Sequence, residues 1–127
     1  TASSLSTFLR AVHDDSFGET TFPGLLSLSG NNGWIKGRLD RPHEALRVWA
    51  KTGSLDYVNN LAGYLFTKSG GIYAFSVFVN DKEKRRIVSV SGPDTQQSRR
   101  LKRKAGQWHS KAGDLIDDIL RHWLANF

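Results

Sequence analysis

Three strand-like runs that follow one another at hairpin distance constrain the fold of this 127-residue chain more than any other feature. Apolar and polar side chains alternate along the first run, so one face suits a core and the other suits solvent. A Ser-Gly-Gly turn before the third run is a strong hairpin signal. The third run is apolar on both faces, as in a central strand that is covered twice. The runs cover residues 45–53, 61–67 and 72–80, and they predict an antiparallel sheet.

A helix is predicted before these strands and another after them. In residues 3–14 apolar side chains recur at intervals of three and four, after a Thr-Ala-Ser-Ser stretch that can cap the helix. In residues 110–125 a wide apolar stripe lies opposite three aspartates. The hydrophobic fraction of 39% is enough for one ordinary core. The predicted fold class is therefore α+β, with helices flanking an antiparallel sheet.

The excess positive charge is concentrated between the last strand and the closing helix. The chain has a net charge of +6, and the stretch from Asp81 to Lys111 holds ten of its eighteen basic residues against three acidic ones. We interpret residues 81–107 as a solvated basic connector with a turn at Ser91–Asp94, and residues 87–90 could form a short strand in it. The alternative is that residues 82–104 contact an anionic polymer or membrane surface. Nucleic acid is not expected, because this segment lacks aromatic side chains for stacking.

Composition excludes several classes of site. The chain has no cysteine, which rules out disulfides, thiol nucleophiles and cysteine metal ligands. Its four histidines lack ligand spacing, so neither a metal nor another cofactor is expected. No apolar run approaches the ~20 residues of a membrane span. Thr1 is not expected to be an amino-terminal nucleophile, because a helix follows it and such sites need surrounding strands.

The motif with candidate chemistry is Lys51-Thr52-Gly53, at the end of the first strand. A cation lies beside a hydroxyl, and a missing side chain opens the backbone to a ligand. Together these groups predict a site for an anion on the edge of the sheet. The alternative is an ordinary strand that ends at a glycine turn.

The strands that carry this motif resemble a known family. Trp49-Ala50-Lys51-Thr52-Gly53-Ser54-Leu55 is followed by Leu61-Ala62-Gly63-Tyr64-Leu65 and then by Tyr73-Ala74-Phe75-Ser76-Val77-Phe78-Val79-Asn80. This order and spacing is similar to the carboxy-terminal part of the serine D-alanyl-D-alanine carboxypeptidases and endopeptidases. These are penicillin-binding proteins of low molecular mass, related to the serine β-lactamases. The resemblance implies that residues 1–127 are the carboxy-terminal segment of one transpeptidase-like domain.

The resemblance also implies a role for each residue of the motif. Lys51 would direct positive charge toward the terminal carboxylate of a stem peptide or a β-lactam, and Thr52 would donate a hydrogen bond to it. Gly53 would leave room for the substrate along the strand. The backbone N–H of Ser54 would be one of two oxyanion-hole donors. Lys51 and Ser54 are thus the expected catalytic residues, and all four are expected to bind substrate.

The family needs two further motifs that this sequence does not supply. One is Ser-x-x-Lys, which holds the acylated serine, and no serine here has a lysine three residues later. The other is Ser-x-Asn, which Ser29-Gly30-Asn31 spells in a position where the family has a connector, so we interpret it as coincidence. We therefore expect a carboxy-terminal fragment whose amino-terminal remainder carries both motifs, and we expect the fragment alone to be inactive.

The predicted function is thus part of a periplasmic serine hydrolase that cleaves D-alanyl-D-alanine or peptide cross-links in peptidoglycan and binds penicillin. The periplasmic location follows from the resemblance alone. Two alternatives remain: a basic module that binds an anionic polymer, and a β-lactamase-like relative that has lost activity.

Overall fold

The computed structural model describes residues 1–90 and 95–127 of the chain. It is α+β, as the sequence predicts, with a four-stranded antiparallel sheet. The strands of this sheet, in spatial order, are β3 (Ser27–Leu28), β4 (Val48–Leu55), β5 (Val58–Phe66) and β6 (Ile72–Asn80), and β3 is a short edge strand. The helices are α1 (Ala2–Ala11), α2 (Lys82–Val90) and α3 (Gln96–Asn126), and a separate ribbon joins β1 (Ser16–Phe17) to β2 (Thr20–Thr21).

Helices α1 and α3 pack on opposite faces of the sheet. The α3 face carries the main core, in which Val48, Leu61 and Phe75 meet Ile116 and Leu120. On the other face the Tyr64 hydroxyl donates to the carbonyl of Leu9 in α1. Alternation along each strand therefore sends successive side chains of β4 and β5 to different helices. None of the described helices combines the length and the apolarity that a membrane-spanning segment needs.

The first two predicted strands have different bounds in the structure. Residues 45–47 belong to a turn, in which the amides of Glu44 and Ala45 donate to the Arg41 carbonyl and the Arg47 amide donates to the Glu44 carbonyl. Strand β4 begins only at Val48. At its other end β4 continues to Leu55, and β5 begins at Val58 rather than at residue 61. The loop is therefore the two residues Asp56 and Tyr57. The start of β5 was not predicted from the sequence, because asparagines lie there and Asn is uncommon in strands. The turn was not predicted either, because Tyr57 takes a positive φ of 58° without the glycine that usually signals such a turn.

The prediction that the third run is a central strand was wrong. β6 has the predicted bounds of residues 72–80, but it lies at one edge of the four-stranded sheet, with β5 as its partner. Each face of β6 contacts a helix: Phe75 packs toward α3, and the Ser76 hydroxyl donates to the Ala2 carbonyl and is hydrogen-bonded to the Ser6 hydroxyl of α1. The coverage is partial, because Ile72, Tyr73 and Phe78 are exposed.

The basic connector predicted over residues 81–107 is largely helical, which corrects the sequence interpretation. Residues 82–90 form α2 instead of a short strand, and α3 begins at Gln96 instead of residue 110, with the Thr95 hydroxyl as its amino-terminal cap. Only Leu101, Ala105 and Trp108 are apolar at helical spacing in the first half of α3, and this narrow stripe packs on Tyr57. The predicted turn at Ser91–Asp94 lies outside the described residues.

Candidate functional site

The predicted site residues lie on the half of β4 that extends past its edge partner. β3 pairs with β4 only at Trp49 and Ala50, whereas β5 pairs with β4 along its whole length to Leu55. From Lys51 onward, within the described residues, the side of β4 away from β5 has no neighbouring strand. The four residues Lys51, Thr52, Gly53 and Ser54 therefore line a free strand edge.

The hydrogen-bond pattern fixes which backbone groups face this edge. The Arg47 carbonyl accepts from the Phe66 amide of β5 at 2.8 Å, and the Val48 carbonyl accepts from the Ser29 amide on the β3 side at 2.9 Å. Successive residues of an antiparallel strand direct their amide groups to opposite sides. The N–H and C=O groups of Thr52 and Ser54 therefore face the free edge, like those of Val48.

The side chains of the motif divide between the two faces of the sheet. Lys51 and Gly53 belong to the α1 face, and Thr52 and Ser54 belong to the α3 face. Lys51 is exposed, and its Nζ donates to the Thr52 carbonyl at 2.7 Å. This contact holds the ammonium group over the free edge, so the cation and the edge amides of Thr52 and Ser54 surround one stretch of open surface.

A cavity lies on each side of this stretch. The one toward α3 has a volume of about 660 Å³ and includes Thr52, Ser54, Asn59, His109 and Asp114 in its lining. The one toward α1 has a volume of about 360 Å³ and a mainly apolar lining that includes Phe8 and Phe78 beside Lys51. β4 thus forms a shared wall between a polar and an apolar hollow.

Several polar residues that line the larger cavity were not predicted as site residues from the sequence. Asn59 lies opposite Ser54 in the β4–β5 ladder, and its side-chain amide donates to the His109 carbonyl at 3.1 Å. Arg38 and Asp117 also line this cavity, and Arg38 donates to the Asp117 carboxylate at 2.6 and 3.0 Å. Recognition of Asp56-Tyr57 as a two-residue loop would have identified the Ser54–Asn59 pair, because the loop length sets the register. The sequence has no signal for the contacts with α3.

The glycines of β4 and β5 differ in what surrounds them. A Cβ atom at Gly63 would lie 2.0 Å from the Trp49 carbonyl oxygen, so the fold requires glycine there. A Cβ atom at Gly53 would have Asn60 Cβ at 3.8 Å as its nearest neighbour, an ordinary contact. Packing within the chain therefore does not explain why residue 53 lacks a side chain.

Ser29 does not approach these residues as a reactive group. It is fully buried, and its hydroxyl accepts a hydrogen bond from the Val48 amide at 3.3 Å. The hydroxyl thus replaces a strand partner where β3 ends. Within residues 1–90 and 95–127, no group of three His, Asp or Glu side chains is arranged to hold a metal ion.

Comparison with protein families and solved structures gives one family and one fold. The model of the D-Ala-D-Ala carboxypeptidase 3 (S13) family matches residues 1–96. A crystal structure of penicillin-binding protein 4 from Haemophilus influenzae, in complex with a β-lactam, is 25% identical over 88% of this chain, with a TM-score of 0.54. This chain covers 24% of that protein. No curated protein sequence matches the chain.

Two further structures resemble the chain at lower TM-scores. A second structure of the Haemophilus influenzae protein is 29% identical over 71% of this chain and 18% of its own, with a TM-score of 0.43. A predatory endopeptidase from Bdellovibrio bacteriovorus is 22% identical over 88% of this chain and 26% of its own, with a TM-score of 0.42. The chain therefore spans between 18% and 26% of the length of these three solved structures.

Proposed function

Because the chain belongs to the D-Ala-D-Ala carboxypeptidase 3 (S13) family, we propose that it forms one wall of the catalytic cleft of a serine DD-peptidase. That enzyme hydrolyses D-alanyl-D-alanine or peptide cross-links of peptidoglycan through an acyl-enzyme, and penicillins acylate the same serine. The observation that carries the proposal is the free edge of β4 from Lys51 to Ser54, which lies inside the matched residues.

Each residue of this edge has a proposed role that its position supports. The N–H of Ser54 faces the open edge, where it can donate to the oxyanion of a tetrahedral intermediate. Lys51 supplies positive charge toward the carboxylate of the substrate, and the Thr52 hydroxyl donates to the same group. Gly53 has space for a Cβ atom within the chain, so we assign that space to substrate lying along the strand.

The nucleophile comes from a part of the family's fold outside these 127 residues. The chain holds no Ser-x-x-Lys sequence, and Ser29 is buried against β4. The remainder of the protein thus supplies Ser-x-x-Lys and Ser-x-Asn and closes the cleft opposite Lys51. We propose a periplasmic location, because peptidoglycan is the substrate.

The test is acylation of the full-length protein by a fluorescent penicillin. Lys51→Ala should slow acylation by about ten- to a hundredfold, because a charge-assisted hydrogen bond contributes about 1.5–3 kcal/mol. Lys68→Ala is the matched control, since Lys68 is an exposed lysine in the turn before β6, and it should react at the wild-type rate. Equal rates for wild type and Lys51→Ala would refute the role of Lys51, and absence of labelling in the wild type would refute the activity.

A further inference from the structure

A second pocket lies where α2 and α3 meet the β4–β5 turn, away from the strand edge described above. It has a volume of about 450 Å³, within the usual range of ligand sites. Its floor is aromatic: Tyr57 and the half-buried Trp108 meet edge to face with their ring centroids 5.6 Å apart. The Tyr57 hydroxyl donates to the Leu101 carbonyl at 2.6 Å, and burial raises the pKa of this phenol, which remains a neutral donor.

The rim of this pocket is cationic. Lys84 of α2 and Arg100, Lys104 and Lys111 of α3 line it, and no acidic residue belongs to its lining among the described residues. Arg100, Lys104 and Lys111 follow one another at intervals of four and seven, so they share one face of the helix. Lys84 is paired with Asp81 at 2.5 Å. In the described part of the chain, the three cations of α3 form no ion pair.

Packing explains the aromatic floor but not the charges around it. Tyr57, Val88 and Ala105 form a small core with Leu101 and Trp108 that joins α2 and α3 to the hairpin. Like charges one helical turn apart, such as Arg100 and Lys104, destabilise a helix. In α3 six basic residues precede Asp114, the first acidic residue of the helix. An anion bound among them would relieve this repulsion.

We propose that this pocket binds an acidic glycan, with a sugar ring against Trp108 and its carboxylate or phosphate groups paired with Arg100, Lys104 and Lys111. Aromatic rings suit the apolar faces of sugars, and guanidinium and ammonium groups suit both kinds of acid. The choice of a glycan rests on the proposed function, because peptidoglycan is itself a glycan that carries carboxylates. Tyr57 is three residues beyond Ser54, in the two-residue loop that follows β4, so the two residues are at most about 11 Å apart. A polymer held in the pocket therefore lies within reach of the cleft.

Calorimetric titration of the full-length protein tests this proposal. The probes are soluble peptidoglycan strands for carboxylates, phosphorylated dextran for phosphates, unmodified dextran, and a short single-stranded DNA. Wild-type protein should bind one or both of the acidic glycans and bind dextran and DNA at least tenfold more weakly. The stronger of the two acidic glycans identifies the acid group that the pocket prefers.

A matched pair of double variants locates the binding site. Arg100→Gln with Lys104→Gln should weaken binding of the acidic glycan about tenfold or more. Arg99→Gln with Lys102→Gln removes the same two residue types from the other side of α3, outside the pocket lining, and should weaken it less than twofold. Trp108→Leu keeps an apolar side chain in the small core but removes the aromatic surface, and it should also weaken binding; circular dichroism checks that each variant is folded.

The outcomes separate this proposal from the proposed function. The proposed glycan site would be overturned by any of three results: an equal loss of glycan affinity in the two double variants, DNA binding as tight as glycan binding, or no glycan binding by the wild type. Penicillin acylation should proceed at the wild-type rate in both double variants, because their side chains lie outside the β4 edge. If acylation fails while glycan binding depends on Arg100 and Lys104, the peptidase proposal is wrong and the pocket stands.

Discussion

At the scale of single residues, glycine occurs at positions 53 and 63 of the sheet for different reasons. The close approach of β4 excludes a Cβ atom at Gly63, whereas the surroundings of Gly53 accept one. Neither glycine has a positive φ, so backbone strain does not distinguish them. The fold accounts for Gly63, and the proposed substrate accounts for Gly53.

Alanine substitutions should separate these two reasons. Gly63→Ala should destabilise the protein by about 1–3 kcal/mol, the usual effect of overpacking a core. Gly53→Ala should leave the unfolding midpoint close to that of the wild type and slow penicillin acylation at least tenfold. Thermal unfolding and acylation of the same preparations measure both effects. Normal acylation by Gly53→Ala would show that substrate does not lie against residue 53.

The four motif residues could be selected as candidates from the sequence because three strands repeat the family's order and spacing. The pocket lining could not, because Asn59, His109 and Asp117 come together only through the register of the hairpin and the packing of α3. The position of Trp108 and Lys111 beside Tyr57 was likewise not predicted from the sequence. Their proximity to Tyr57 depends on a helix that begins at Gln96, earlier than predicted.

At the scale of secondary-structure elements, α2 shows how a charged stretch becomes a helix. Asp81 precedes α2 and accepts the Lys84 amide at 3.0 Å, which is the bond of a helix amino-terminal cap. The Lys84 side chain also bonds to this carboxylate. From the sequence these charges indicated a solvated connector, because charge alone does not reveal a cap and its partner.

Substitution of Asp81 should reveal the cap and its dependence on pH. Asp81→Ala should destabilise the protein by about 0.5–2 kcal/mol at pH 7, whereas Asp81→Asn keeps an oxygen acceptor and should lose less. Hydrogen bonds from the Lys84 side chain and then from its backbone amide lower the pKa of Asp81 from its ordinary value of 3.8. A depressed carboxyl pKa stabilises the fold above that ordinary value, and the contribution is lost as the pH falls through the folded-state pKa.

Thermal unfolding of the wild type and Asp81→Asn at neutral and at acidic pH measures this effect. The difference in stability between them should shrink as the pH falls below the ordinary pKa of the carboxyl group. A difference that stays constant with pH would mean that the ionised carboxylate contributes nothing to the cap.

At the scale of the whole molecule, the exposed apolar residues on the α1 side define a surface that suits a protein partner. Phe8 and Phe78 are 50% and 39% exposed, and both line the apolar hollow beside Lys51. Contiguous apolar surface of this kind marks interaction sites in soluble proteins. We expect the remainder of the same protein to cover it, since the proposed cleft needs a second wall next to Lys51.

The isolated 127-residue chain should therefore associate with itself and should not react with penicillin. Sedimentation velocity over a range of concentrations should detect the association, and Phe8→Ser with Phe78→Ser should reduce it. Leu115→Ser is the control, because Leu115 is 50% exposed on α3 and lies outside the hollow. A stable monomer that is not affected by these substitutions would contradict the assignment of this surface.

The free edge of β4 has a further consequence for amide hydrogen exchange. The amides of Lys51 and Gly53 are directed to β5, whereas those of Thr52 and Ser54 are directed to the open side. Exchange rates along this one strand should thus alternate, with protected amides at residues 51 and 53 and rapidly exchanging amides at residues 52 and 54. Acylation of the full-length protein by a β-lactam should slow exchange at Ser54, and the alternation would end where the antibiotic binds.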